Sequence, residues 1–238
     1  MDQYFSGLPP YSWTIISIMA VTLLFLIYHF LSENNYVKKS LVKGTGNSRF
    51  IISRRLLGLV LFGIIPLFLL MGFHAKPINS FGLTLDNLSY SLLWILGLTP
   101  VILLMNFFNA PKKDNLLMYP QIREKLWSKS LLIASSASWI AYLTGYEFMF
   151  RGFLLFSCFY ALDAPSAIAI NVCIYSLVHL PKGMKETLGA IPLGLLLSYL
   201  TLESNSILIA LVVHIIMALS NEWFSIRSNP EIKVKLTK

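Results

Sequence analysis

The sequence predicts an all-α, polytopic transmembrane helix bundle of about seven spans, with eight as the alternative, from three observations. Of its 238 residues 56% are hydrophobic and 13% charged, against about a quarter charged in an ordinary soluble domain. The apolar residues gather in long runs, and a bilayer-crossing helix needs about 20 such residues. The basic residues fall between those runs: of 19 lysines and arginines, only Lys76 and Arg151 lie outside the segments 32–55, 109–130, 181–187 and 225–238.

In chain order the runs are 13–31, 56–73, 90–108, 131–161, 165–180, 188–202 and 206–224. Before the first, Met1 to Ser12 carries Asp2 and no lysine or arginine. A signal peptide wants a basic n-region, so Trp13 to Leu31 is expected to be a retained first helix. The fourth run is the longest. At about 31 residues it would measure some 46 Å, as one long tilted helix or as two broken near Gly152. Charge decides between these. With seven spans and the N-terminus outside, all four basic segments face the cytoplasm, as the positive-inside rule requires. Eight spans would put the 181–187 turn and the tail outside.

Ala137, Ala141 and Gly145 recur every four residues in the fourth run, and Ala190, Gly194 and Ser198 do so in the sixth. Small residues at that spacing let helix backbones approach closely. Segment 116–130, with Tyr119 and Trp127 among basic residues, reads as a stretch lying at the inner interface. The net charge of +8 orients a membrane protein here, and no nucleic-acid partner is expected. Cys158 and Cys173 sit in apolar runs and make neither a disulfide framework nor a metal cluster. No Cys-a-a-X ending marks the chain as a prenylation target.

The chemistry is expected from polar residues at membrane depth, where ionisable groups are costly and mark function. Tyr146-Glu147-Phe148-Met149-Phe150-Arg151-Gly152 puts a carboxylate and a guanidinium at i,i+4, on one helix face. That pair alone could be structural. His179 and His214 add imidazoles in two further apolar runs, whereas His29 and His74 fall at helix ends and read as interfacial. A glutamate with two histidines supports two mechanisms. The carboxylate and one imidazole can activate water while the other imidazole donates to the oxyanion. Alternatively Glu147, His179 and His214 can bind zinc. The chain lacks the His-Glu-x-x-His helix of the zinc version, so no cofactor is expected and zinc is the less favoured alternative.

These residues resemble the CPBP family, the CAAX prenyl protease and bacteriocin-processing intramembrane endopeptidases. That family carries Glu-Glu-x-x-x-Arg, Phe-x-x-x-His and His-x-x-x-Asn on successive helices. The matching blocks are Tyr146-Glu147-x-x-x-Arg151, Tyr175-x-x-x-His179 and His214-x-x-x-Ala218, so Tyr146 stands for the first glutamate and Ala218 for the asparagine. The resemblance covers about 141–222. It implies a glutamic-type endopeptidase in which a Glu and a His activate water while the last His and an Asn stabilise the oxyanion. Glu147, His179 and His214 are the expected catalytic residues, with Arg151 beside them. Tyr146 is expected to orient the water, and Asn221, seven residues beyond His214, to supply the missing amide.

The resemblance divides the chain into N-terminal helices and a basic interfacial segment (1–130), a catalytic helical core (131–224) and a basic cytoplasmic tail (225–238). It implies a membrane-associated protein or peptide as substrate and a bacterial cytoplasmic membrane as the compartment. Two readings stay open beside it: a non-catalytic membrane scaffold or immunity protein, and a small proton-coupled carrier. For the carrier, no inverted repeat is evident.

Overall fold

Each of the seven apolar runs is helical in the computed structural model, which describes residues 9–42, 47–74 and 76–235. Asp2, Lys43 and Lys238, used in the charge reading, lie outside the described residues. The first helix, α1 (Pro10–Glu33), is followed by the short α2 (Asn35–Leu41). Next α3 (Ser48–Leu59) runs through a π-helical turn (Val60–Ile64) into α4 (Ile65–Phe73), and α5 (Leu88–Asn109) follows. A short helix α6 (Lys113–Met118) and strand β1 (Leu126–Ser128) lead into α7 (Lys129–Glu147). Without a break α7 continues through a second π segment (Phe148–Leu154) into α8 (Leu155–Phe159), so the fourth run is one long helix, 129–159. Then come α9 (Ala164–Leu177), α10 (Met184–Ser204), α11 (Leu208–Ser228) and strand β2 (Lys233–Lys235).

Local chemistry sets several boundaries. The Ser128 side chain accepts from the Leu131 N–H and starts α7; Asp163 accepts from the Ser166 N–H and starts α9. Both satisfy amides that the first helical turn leaves without partners. Asn205, left-handed at φ 54°, ends α10, a conformation asparagine tolerates better than most residues.

Among the described residues, five helices are long and apolar enough to cross a membrane: Tyr11–Glu33, Ser48–Phe73, Leu88–Asn109, Met184–Ser204 and Leu208–Ser228. Their outer faces are those of a membrane protein. Met19, Leu23 and Phe30 on α1, and Leu93, Leu96, Leu104 and Phe108 on α5, are exposed, forming contiguous apolar surface that water would not tolerate. The two helices outside this set, 129–159 and Ala164–Leu177, carry Tyr146, Glu147, Arg151 and Tyr175, and the stretch 143–158 of the first is buried throughout except at Thr144.

The connections sort onto two faces of the bundle. On one, Asn47 accepts from the Arg123 N–H and donates to the Gln121 carbonyl, and Lys185 pairs with Asp114 at 2.6 Å. The tail joins the same face: β2 pairs in parallel with β1, Leu126 opposite Lys233. All four basic segments therefore share one face, as seven spans require and eight would not allow. On the other face Ser206 donates to the Thr84 carbonyl, Tyr160 to that of Ser80, and Thr14 to that of Ser157. Lys76 lies there too, 4.3 Å over the Tyr160 ring.

Within segment 116–130, which lies on the basic face, one aromatic residue turns inward. Trp127 is fully buried in β1, packed in a cluster with Phe50, Ile51, Ile122 and Ile226. The ladder with β2 turns its ring inward instead of toward lipid.

The long helix is held where its sequence is small. A Cβ on Gly145 would lie 3.0 Å from the Gly63 nitrogen and 3.1 Å from the Leu59 Cα. Backbones of α7 and the 48–73 helix thus meet at Gly145, whereas Ala137, in the same stripe, is exposed. In the sixth run Gly194 packs against Tyr175, and Ser198 donates to the Asn171 Oδ1 at 3.1 Å. Both close contacts flank the residues that make the site.

Candidate active site

The site begins where the long helix changes pitch. Glu147 is the last residue of α7, and the π segment starts at the next position. Such bulges inside α-helices concentrate at functional sites. At the end of the segment the Leu155 N–H reaches the Phe150 carbonyl, which also accepts from the Asn171 Nδ2 at 2.6 Å. Asn171 is fully buried on α9 and ties that helix to the bulge. It was readable in the sequence as a single amide within Ala-Ile-Asn171-Val-Cys, but no motif drew attention to it.

Five of the six expected residues are grouped, three of them in polar contact. His214 Nδ1 lies 2.5 Å from Glu147 Oε1, bridging α11 and α7. A carboxylate accepts, so Nδ1 carries the proton and Nε2 is turned away from Glu147. Arg151 Nη1 is 3.3 Å from the other oxygen, Glu147 Oε2. Glu147 and Arg151 are 0% exposed, with Tyr146 at 5%, His179 at 6% and His214 at 7%. The Arg151 guanidinium lies 4.0 Å over the Tyr175 ring. Its three nitrogens have no hydrogen-bond partner among the described residues, although the ion pair with Glu147 is within reach.

His179 is held separately. Its Nδ1 is 2.7 Å from the Tyr175 carbonyl, which can only accept, so here too Nε2 is the free nitrogen. Tyr146 stands between the two imidazoles, edge-on to His179 at 6.2 Å and to His214 at 5.8 Å between ring centroids. It also packs on Phe150 at 4.8 Å and Tyr175 at 5.9 Å. Tyr146 is therefore the hub of the site.

No hydrogen bond joins Asn221 to this group among the described residues. Seven residues beyond His214 amounts to roughly 10 Å along the helix, too far to share a ligand with it. Its Oδ1 is buried without a hydrogen-bond partner. Among the described residues no three His, Cys, Asp or Glu side chains are grouped as metal ligands.

A second buried charge cluster was not anticipated. Arg55, counted above with a cytoplasmic basic segment, is 2% exposed and pairs with Glu222 at 3.0 Å. Arg55 also donates to the Ser135 carbonyl, to Ser135 and Ser138 Oγ and to Gln121 Oε1. Glu222 accepts from Ser135 Oγ and from Trp139 Nε1 at 2.7 Å. The guanidinium lies 4.0 Å over the Trp139 ring. Glu222 was the available signal, an acid near the end of an apolar run that also holds His214.

Residues 127–220 match the family model described as Type II CAAX prenyl endopeptidase Rce1-like. No curated protein and no solved structure matches the chain.

Proposed function

Proceeding from the CPBP family membership that the 127–220 match supports, we propose that this integral membrane protein is an intramembrane endopeptidase hydrolysing a peptide bond of a membrane-associated protein. The buried Glu147–His214 contact at 2.5 Å carries the reading. A carboxylate on Nδ1 orients an imidazole and stabilises its protonated form, leaving Nε2 to take a proton from attacking water. His214 thus becomes the general base, with Glu147 behind it. This differs from the role the resemblance implies for the last histidine, which is the oxyanion.

His214 Nε2 then hands the proton taken from water to the leaving amine. His179, whose Nε2 is an acceptor across the Tyr146 ring, is suited to positioning the attacking water. Oxyanion stabilisation falls to the Tyr146 hydroxyl and the Arg151 guanidinium, one nitrogen of which is turned to Glu147. A preorganised donor in a dry site is worth several kcal/mol to a developing oxyanion. The face bearing the basic segments is read as cytoplasmic by the positive-inside rule, and a bacterial cytoplasmic membrane remains the proposed setting.

One observation favours a second reading. Tyr146 occupies the space between the imidazoles with an aromatic ring packed on several sides, which suits a partner-binding protein that does not cut. Terminal-peptide mass spectrometry of membranes from cells expressing wild type or Glu147→Gln at matched levels separates the two. A protein terminus present only with wild type supports proteolysis and names the substrate. Identical termini, with a deletion phenotype that both versions rescue, would leave the non-catalytic reading standing.

A further inference from the structure

A cavity of about 310 Å³ opens among α1, α3, α7 and the 118–123 and 178–182 connections, on the face that carries the basic segments. Its lining holds four cations, Arg54, Arg55, Arg123 and Lys182, against one carboxylate, Glu33. Arg55 is neutralised by Glu222 at 3.0 Å, and Lys182 is partly countered by Glu186 at 3.6 Å. Arg54 and Arg123 have no carboxylate within ion-pair distance among the described residues. Arg123 donates instead to the Leu116 and Leu117 carbonyls, and the Arg54 Nε is buried without a hydrogen-bond partner.

The rest of the lining mixes polar groups, among them His29, Ser32, Asn47 and Gln121, with an aromatic and apolar wall that ends at the site. Trp139, Tyr142 and Tyr146 form part of it, with Val178 and Pro181 on either side of His179. Tyr146 is thus a wall shared between the cavity and the two imidazoles. A ligand here presents apolar groups to the aromatic wall and an anion to Arg54 and Arg123. The volume is at the small end for a ligand pocket and too small for a two-tailed lipid.

We propose that this cavity is the substrate's binding site on the side of one cleavage product, and that Arg54 and Arg123 bind a carboxylate of the peptide. This rests on the endopeptidase reading. The carboxylate belongs either to the peptide's C-terminus or to an acidic side chain close to the scissile bond. Guanidinium–carboxylate pairs are bidentate and charge-assisted, so they fix register as well as affinity.

The test uses full-length protein in detergent, wild type and Glu147→Gln, and three fluorescein-labelled apolar pentapeptides. One ends in a free carboxylate, one in an amide, and one in aspartate amide. Binding is read by fluorescence anisotropy. The free acid is expected to bind about 10-fold or more tightly than the amide, the difference one charge-assisted bond makes. Arg54→Gln or Arg123→Gln should erase that preference. Equal binding of aspartate amide and free acid assigns the carboxylate to either source, whereas loss with aspartate amide assigns it to the C-terminus.

Equal binding of all three peptides, or binding of none, overturns the proposal whether or not the variants fold. So does a charge-independent result accompanied by co-purified phosphatidylglycerol that Arg54→Gln removes, which would give the cavity to a lipid headgroup. Cleavage by wild type without preference for charge sinks the cavity assignment alone. Charge-dependent binding with no cleavage of any membrane protein sinks the endopeptidase reading instead.

Discussion

Two buried glutamate–arginine pairs lie in this bundle, built from the same parts and finished differently. In each the guanidinium sits 4.0 Å over an aromatic ring, Trp139 for Arg55 and Tyr175 for Arg151. Each arginine meets its glutamate at 3.0 or 3.3 Å. In Arg55–Glu222 the arginine also donates to Ser135, Ser138 and Gln121, the glutamate also accepts from Ser135 and Trp139, and only the Arg55 Nε is left over. Arg151–Glu147 gathers one, from His214, and all three Arg151 nitrogens are left over. Leaving buried donors unpaired costs about 1–3 kcal/mol each, more when charged. The saturated pair clamps α3, α7 and α11 together. The unsaturated one joins α7 and the π segment that continues it through an ion pair with few hydrogen bonds around it.

The largest expected effect separates the two glutamates. Glu147→Gln should lower cleavage about 10²–10⁴-fold, the range for losing a general acid–base group, measured as the product terminus per folded molecule. It also strips buried Arg151 of its counter-charge, so melting should fall as well, by about 3–5 kcal/mol of stability. Glu222→Gln should lower stability alone. It leaves Arg55 buried without a counter-charge, which costs about 3–5 kcal/mol, read as a fall in melting temperature in detergent. Cleavage per folded molecule should persist. If both variants lose activity and stability alike, the division into clamp and site is wrong.

The clamp can be tested more sharply by removing both charges. Arg55→Met with Glu222→Leu replaces an ion pair by apolar volume, which elsewhere is neutral or stabilising by about 1–4 kcal/mol. The double variant should melt above Glu222→Gln and near or above wild type. A double variant no better than the single one would mean that the clamp's other hydrogen bonds, from Ser135 and Trp139, carry its stability.

The same contrast explains what was legible in the sequence. The helices were, because an apolar run of this length has few alternatives, and the one long fourth helix followed from where the basic residues fall. The site was partly legible: Glu147, Arg151, His179 and His214 stand out as polar residues in apolar surroundings. The clamp was not, because Arg55 sits at the edge of a basic stretch and Glu222 near a helix end, where each looks like solvated charge. Their pairing spans 167 positions, and no local pattern reports a contact of that separation. Asn221 illustrates the converse. Helical spacing put it on the face of His214, but seven residues of rise remove it from the site.

Glycine contacts around the site should give intermediate effects. Gly145→Ala would drive a Cβ to 3.0–3.2 Å from the backbone of Gly63 and Leu59. Backbone cannot swing aside as a side chain can, so the helices must separate, at about 1–3 kcal/mol for overpacking. Gly72→Ala, whose Cβ would meet nothing within 4 Å, is the matched control. Because Glu147 is two residues away, Gly145→Ala should also weaken cleavage, while Gly72→Ala should leave both melting and cleavage unchanged.

The smallest expected effect is at the basic face. Lys185 holds Asp114 at 2.6 Å, and its hydrogen bond and charge keep that carboxyl below the usual aspartate range. A carboxyl depressed in the folded state binds fewer protons there than in the unfolded chain. Its contribution is therefore present above the unfolded pKa, near 4, and is lost as pH falls through the lower folded value. The pair is highly exposed on both sides, where solvent and salt screen most of the attraction. Asp114→Asn should leave melting at neutral pH unresolved from wild type, and any difference should vanish in high salt or at acid pH. A large loss of stability from Asp114→Asn would mean that the 109–130 and 181–187 segments depend on this surface bridge and not on the buried clamp beneath it.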